Sequence, residues 1–160
     1  MKSILSVLVI LLVGAVAASP LMAADNPFVG TWKLNVAKSK ADGAMLPKSL
    51  TRTITTDGTT TKYAFDGTAA DGSAITYSFS TSYDGKESPV MGTGMPGGAD
   101  TITLKHYSAH KTEGTLKKGG KQIAKVTAVV SSDGKTSTVT AKGTGPDGKP
   151  FSTVSVYEKQ

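Results

Sequence analysis

Along residues 75–83 the side chains alternate: Ile75, Tyr77, Phe79, Thr81 and Tyr83 fall on one side, and Thr76, Ser78, Ser80 and Ser82 on the other. A repeat of two is the mark of a strand with one face buried and one in water, since successive side chains leave a pleated backbone in opposite directions. The same reading predicts strands over 50–56, 59–65, 101–108, 122–130, 136–142 and 151–157, with a less regular one over 112–117. All are rich in Thr, Val, Ile, Tyr or Phe, which suit a pleated, half-buried surface. No segment beyond residue 24 carries a helical stripe; residues 36–44 have room for a helical turn, on poor apolar spacing.

Turn chemistry separates these runs. Asp-Gly pairs, among them 57–58, 66–67, 71–72, 84–85, 133–134 and 147–148, mark turns, and Gly119-Gly120 adds a further break. Such pairs suit hairpins, whose tight turns need positive φ at their central residues. Strands joined by short turns make an antiparallel meander, here of about eight to ten strands. An open sheet of that length leaves unpaired edges, and closure into a barrel removes them. The expected fold class is therefore all-β, an up-and-down meander closed into a barrel, with a β-sandwich as the runner-up. Two segments depart from the pattern and read as loops: 86–99, with Pro89, Pro96 and Gly at 92, 94, 97 and 98, and the shorter 40–48. The expected core is Phe28, Trp32, Leu34, Leu50, Ile54, Tyr63, Phe65, Ile75, Tyr77, Phe79, Ile102, Leu104, Leu116, Ile123, Val129, Val139, Phe151, Val154 and Val156.

The first 24 residues read differently. Lys2 is followed by an apolar run over 4–18, a break at Ser19-Pro20, and small residues up to Ala23-Ala24. That order is a secretory signal peptide, with cleavage expected after Ala23 or Ala24; Ala15-Val16-Ala17 is a weaker site and an uncleaved anchor the alternative. With no cysteine in the chain, lipoprotein processing is excluded. The expected organisation is a signal peptide over 1–24 and one domain over 25–160, periplasmic or secreted. Once cleaved, that domain is not expected to insert stably in a membrane. The net charge of +6 falls to +5 without Lys2, and the lysines are spread singly apart from Lys117-Lys118. A nucleic-acid binder would concentrate its charge on one element, so no nucleic-acid partner is expected. Without disulfides, stability must come from the core.

Phe28-Val29-Gly30-Thr31-Trp32 opens the domain and resembles the Gly-x-Trp signature at the first strand of lipocalin-like barrels. In such a barrel Gly30 lets the chain bend into the strand and Trp32 plugs the closed end. The resemblance implies a lipocalin-like (calycin-type) barrel. A basic residue on the last strand commonly packs over that Trp; here the last strand has no Arg, Lys159 lies near its end, and Arg52 belongs to an early strand. The chain also resembles exported bacterial proteins of unknown function that begin with Asn-Pro-Phe-x-Gly-Thr-Trp-Lys-Leu-Asn, here residues 26–35, and continue with Asp84-Gly85-Lys86 and Pro89-Val90. That likeness assigns no ligand or catalytic residue.

Barrels of this size enclose either a small molecule or a packed interior. For a cavity, Tyr63, Phe65, Ile75, Tyr77 and Phe79 are the lining candidates, and a small, partly apolar molecule is the expected partner. His106 shares the parity of Ile102 and Leu104, which makes a haem or metal carrier an alternative; His106 and His110 also read as hairpin-end residues. Met91 and Met95 flank a Gly-rich stretch that could hold Cu(I) or be incidental. A third reading is an envelope-associated interaction module using the outer surface or residues 86–99. Enzymatic signatures are lacking: there is no Gly-x-Ser-x-Gly elbow, no His-Glu-x-x-His and no phosphate-cradling glycine loop, and most acids sit in Asp-Gly turns. The expectation is a non-catalytic protein without a cofactor, its oligomeric state left open.

Overall fold

A computed structural model describes residues 26–145 and 147–160, so the expected signal peptide over 1–24 lies outside the described residues. Twelve strands follow in order: β1 Gly30–Leu34, β2 Lys40–Asp42, β3 Ser49–Thr56, β4 Thr61–Thr68, β5 Ala74–Thr81, β6 Asp84–Pro89, β7 Met91–Thr93, β8 Thr101–Ser108, β9 Lys111–Lys118, β10 Lys121–Val130, β11 Thr136–Thr144 and β12 Pro150–Lys159. All pairings are antiparallel, in the order β6-β8-β9-β10-β11-β12-β1-β3-β4-β5-β7, with β2 added to β12. The first strand thus meets the last: Trp32 lies opposite Lys159 on one side and opposite Arg52 on the other. This is the expected antiparallel barrel rather than a sandwich, nearly closed, with more strands than the sequence suggests.

The additional strands come from segments expected to be loops. Residues 84–93 form one extended run that pairs with β8 through its first half and with β5 through its second. It therefore bridges the two free edges of the sheet. Gly92 is what admits it to β5: its φ is 102°, and a Cβ there would run into the Thr76 carbonyl oxygen and sit 2.9 Å from the Tyr77 Cα. The glycines that argue against a strand from sequence are thus what lets a strand approach. Likewise β2 pairs Lys40, Ala41 and Asp42 with Val154, Thr153 and Ser152, while residues 36–38 form a 3-10 turn capped by the Asn35 side chain.

Two Asp-Gly pairs are not hairpin turns. Asp66-Gly67 lies within β4, where a Gly67 Cβ would be 2.9 Å from the Leu50 Cα, and Asp84-Gly85 opens β6. At the 57–60 turn the Asp57 carboxylate accepts from the backbone N–H of Thr59 and Thr60, so β4 starts at Thr61 rather than at 59. Tyr83 takes φ 54°, so β5 ends at Thr81 and the chain turns sharply into β6.

The core forms largely as expected, with two corrections of parity. In β10 the inward set is Ala124, Val126, Ala128 and Val130 rather than that of Val129: Val130 is 2% exposed and Val129 42%. A register shift between Gln122 and Ala124 lies where β10 meets β9, and Ile123 is only partly buried. In β12 Phe151, Thr153, Ser155 and Tyr157 face inward. Val154 and Val156 lie on the alternate face, half-covered by the strap of residues 35–42, whose Ser39 hydroxyl accepts the Val156 N–H. Alternation alone cannot say which of two mixed sets is inside when both faces are partly covered.

Replacing Gly92 by Ala should destabilise the protein by about 1–3 kcal/mol, read as a lower urea midpoint, because the added methyl must push β7 off β5.

Candidate functional site

The barrel interior holds a cavity of about 440 Å³. One wall is aromatic. The cross-strand neighbours Tyr63 and Phe79 stack with ring centres 4.7 Å apart, and Phe65 and Tyr77 stack at 4.4 Å. The facing wall is built from smaller side chains, Val126, Ala128, Val139, Ala141, Thr153 and Ser155. Large residues on one side and small ones on the other leave space between them that a barrel filled from all sides would lack. The mouth is rimmed by residues 43–47, Ala69, Ala70 and 94–97. All five sequence-predicted lining residues, Tyr63, Phe65, Ile75, Tyr77 and Phe79, border this space.

The closed end is organised around Trp32. Its ring is fully buried and its indole N–H donates to the Phe28 carbonyl at 2.9 Å, so the polar edge of the plug is satisfied. Two cations meet the ring: Lys159 Nζ at 5.2 Å and the Arg52 guanidinium carbon at 5.5 Å from its centre. The basic group expected from the last strand is therefore Lys159. Gly30, with φ 133°, leaves it room, since a Cβ would stand 2.7 Å from the Lys159 Cε.

Arg52 is the residue that sequence reasoning passed over. It is 3% exposed and borders the cavity, where it is the one charged side chain among the described lining residues. Its Nη2 donates to the Ser137 hydroxyl at 2.9 Å, its Nε has no acceptor, and its guanidinium lies 4.5 Å from the Tyr157 ring centre. Burial pulls its pKa below the usual value, partly offset by the surrounding tyrosines, yet an arginine remains protonated. A signal for it existed: Leu50, Arg52 and Ile54 share one parity, so the arginine falls on the buried face of β3.

Burial also pushes tyrosine hydroxyls up, well above the ordinary value for Tyr63 and Tyr77 and less for Tyr83 and Tyr157. Tyr63 and Tyr83 share a hydrogen bond below the aromatic wall.

His106 lies outside the cavity. It is exposed at the closed-end rim, with its ring 3.9 Å from that of Tyr83 and 6.0 Å from that of Phe28, and partial burial lowers its pKa. His110 sits in the turn after β8. Neither histidine borders the cavity, and among the described residues no three His, Asp or Glu side chains gather into a metal site, so the haem or metal reading finds no internal site. Met91 is exposed on β7, whereas Met95 packs at the cavity mouth, so the two do not converge on one site. Among the described residues, no helix is long and apolar enough to cross a membrane.

The buried tyrosines set an alkaline limit. Their folded pKa values lie above the unfolded ones, so the neutral phenols contribute stability that is fully present below the ordinary tyrosine range. It is lost as pH rises from there through the folded values. Absorbance of phenolate should lag behind that of free tyrosine on titration and then rise together with unfolding, followed by circular dichroism.

No protein-family model and no curated protein matches the chain. Among solved structures it is similar to zebrafish ileal bile acid-binding protein complexed with cholic acid, at 18% identity and a TM-score of 0.49, covering 84% of this chain and 99% of that one. It is similar to lobster apocrustacyanin A1 at 13% identity and a TM-score of 0.43, covering 86% and 63%. The siderocalin Ex-FABP matches at 14% identity and a TM-score of 0.36, covering 84% and 74%.

Proposed function

We propose that the protein is exported and that its barrel carries, without catalysis, a small and at least partly apolar molecule. The observation that supports this reading is the cavity of about 440 Å³, bounded by stacked aromatic rings on one side and by small side chains on the other. A space of that size lies in the range used by small-molecule sites, which are mostly apolar with a few placed polar groups. An apolar guest gains from leaving water, at roughly 25 cal/mol per Å² of buried surface. The glycines at 43, 94 and 97 on the rim supply backbone freedom at the entrance. Export rests on the charged start, apolar run and small-residue end of residues 1–24.

The protein purified from its producing cell should raise the fluorescence of Nile red, an uncharged apolar dye, in a saturable way. Ala128→Phe, which places a ring in the cavity, should weaken that binding on the order of tenfold or more while the circular dichroism spectrum stays that of the barrel. A dye response unaffected by Ala128→Phe would place the dye elsewhere and remove the case for an internal carrier.

Residues 1–24 fused to alkaline phosphatase, which is active only outside the cytoplasm, should yield active enzyme in a Gram-negative host. Mass spectrometry of the exported native protein should show a chain beginning at Ala24 or Asp25. An uncut chain in the membrane fraction would contradict the cleaved-signal reading.

A further inference from the structure

The described lining of the cavity is uncharged in all but one respect. A guanidinium cation is enclosed within it, and no carboxylate accompanies it: the ion pairs of the described residues all join lysines to surface acids. Enclosing a charge without a counterion is costly, and the charge cannot be shed, since arginine keeps its proton even when desolvated. Trp32 and Tyr157 offer ring faces and Ser137 offers one hydroxyl oxygen. None of these carries negative charge, and Nε is left without an acceptor. Of the five N–H donors of a guanidinium, most therefore remain to be met.

We propose that the carried molecule has a single carboxylate head group, received inside the barrel by Arg52, with its apolar body lying past the Phe65–Tyr77 pair and Ile75 toward the mouth. This rests on the reading of the barrel as a carrier and names the chemistry of its cargo. A carboxylate is planar and offers two acceptor oxygens to a planar fork of donors, the pairing for which arginine is best suited. One cation calls for one negative charge. Lys159, the nearest further cation along the same register row, reaches the Trp32 ring but does not border the cavity, so a dianionic head group would lack a second partner. The Tyr77 and Tyr157 side chains border the same space, and burial favours their protonated, donating form beside a carboxylate. Head group inward and chain outward is the orientation that this arrangement favours, because the apolar rim residues Leu46, Pro47 and Met95 lie at the mouth.

The test is displacement of Nile red from the delipidated protein by dodecanoic acid, 1-dodecanol and dodecylamine, each below its micelle concentration. A charge-assisted hydrogen bond in a dry site predicts that the acid displaces the dye at about 10- to 100-fold lower concentration than the alcohol, with the amine weakest. Arg52→Met should bring the ratio of acid to alcohol affinity close to one. Acid and alcohol within about twofold of each other on the wild-type protein would overturn the head-group assignment while leaving the carrier reading intact. A wild-type preference that survives Arg52→Met would overturn the role of Arg52. Failure of the dye and of all three dodecyl compounds to bind would instead sink the carrier reading itself. Should Arg52→Met lose its β-sheet spectrum, the wild-type acid-to-alcohol ratio decides the head group, and Tyr157→Phe, expected to lower that ratio severalfold, decides whether the acid sits at the Arg52 end; an unchanged ratio would overturn that placement.

Discussion

The pairing of the first strand with the last is the constraint on which this molecule rests. β1 is five residues long, yet it joins β12 to β3 and so unites the two runs of hairpins into one sheet. Its central row sets Lys159, Trp32 and Arg52 side by side. The indole gives its N–H to Phe28, whose ring packs in the same core. Stability here comes from a large aromatic surface removed from water with its one polar atom satisfied, between two cations that favour its electron-rich faces. Opening this seam would expose the edges of both halves at once.

Closure also decides what the interior can be. Ladder pairing places Tyr63 against Phe79 and Phe65 against Tyr77, so β4 and β5 carry a continuous aromatic surface. The opposite arc, β10 to β12, presents Ala128, Ala141, Thr153 and Ser155. Rings cannot reach across to alanines without shifting the strands, which the hydrogen-bond ladders hold in register. The cavity is thus a consequence of unequal side-chain volume on a fixed circumference. Arg52 introduces the one charge into that space, and the absence of any acid on the described lining gives the cavity a sign as well as a shape.

Much of the fold was legible in the sequence. The strand over 101–108 has the bounds that alternation suggests, and the hairpin turns at 57–58, 71–72, 119–120 and 133–134 fall where Gly and Asp mark them. Tyr63, Phe65, Ile75, Tyr77 and Phe79 border the cavity because each is the larger member of an alternating pair. Where both members of a pair were similar, the reading lost its footing. In Ala128-Val129-Val130 side-chain volume points to neither parity, and in β12 the valines lie under an external strap while Thr153 and Ser155 face inward.

By itself, then, the sequence determined that the chain forms antiparallel strands, roughly where they begin and end, and which aromatic residues share a face. Those properties are local: they follow from the two-residue repeat of a strand and from the backbone freedom of glycine in tight turns. Only the tertiary structure decided that residues 84–93 close the barrel, that Lys159 and Arg52 both reach Trp32, and that a guanidinium is enclosed without a carboxylate. Each depends on groups distant along the chain being brought together, and on a partner being absent from every strand that could have supplied one. Alternation along β3 places Arg52 on the inner face; whether an acid waits across the barrel is a matter of closure and register.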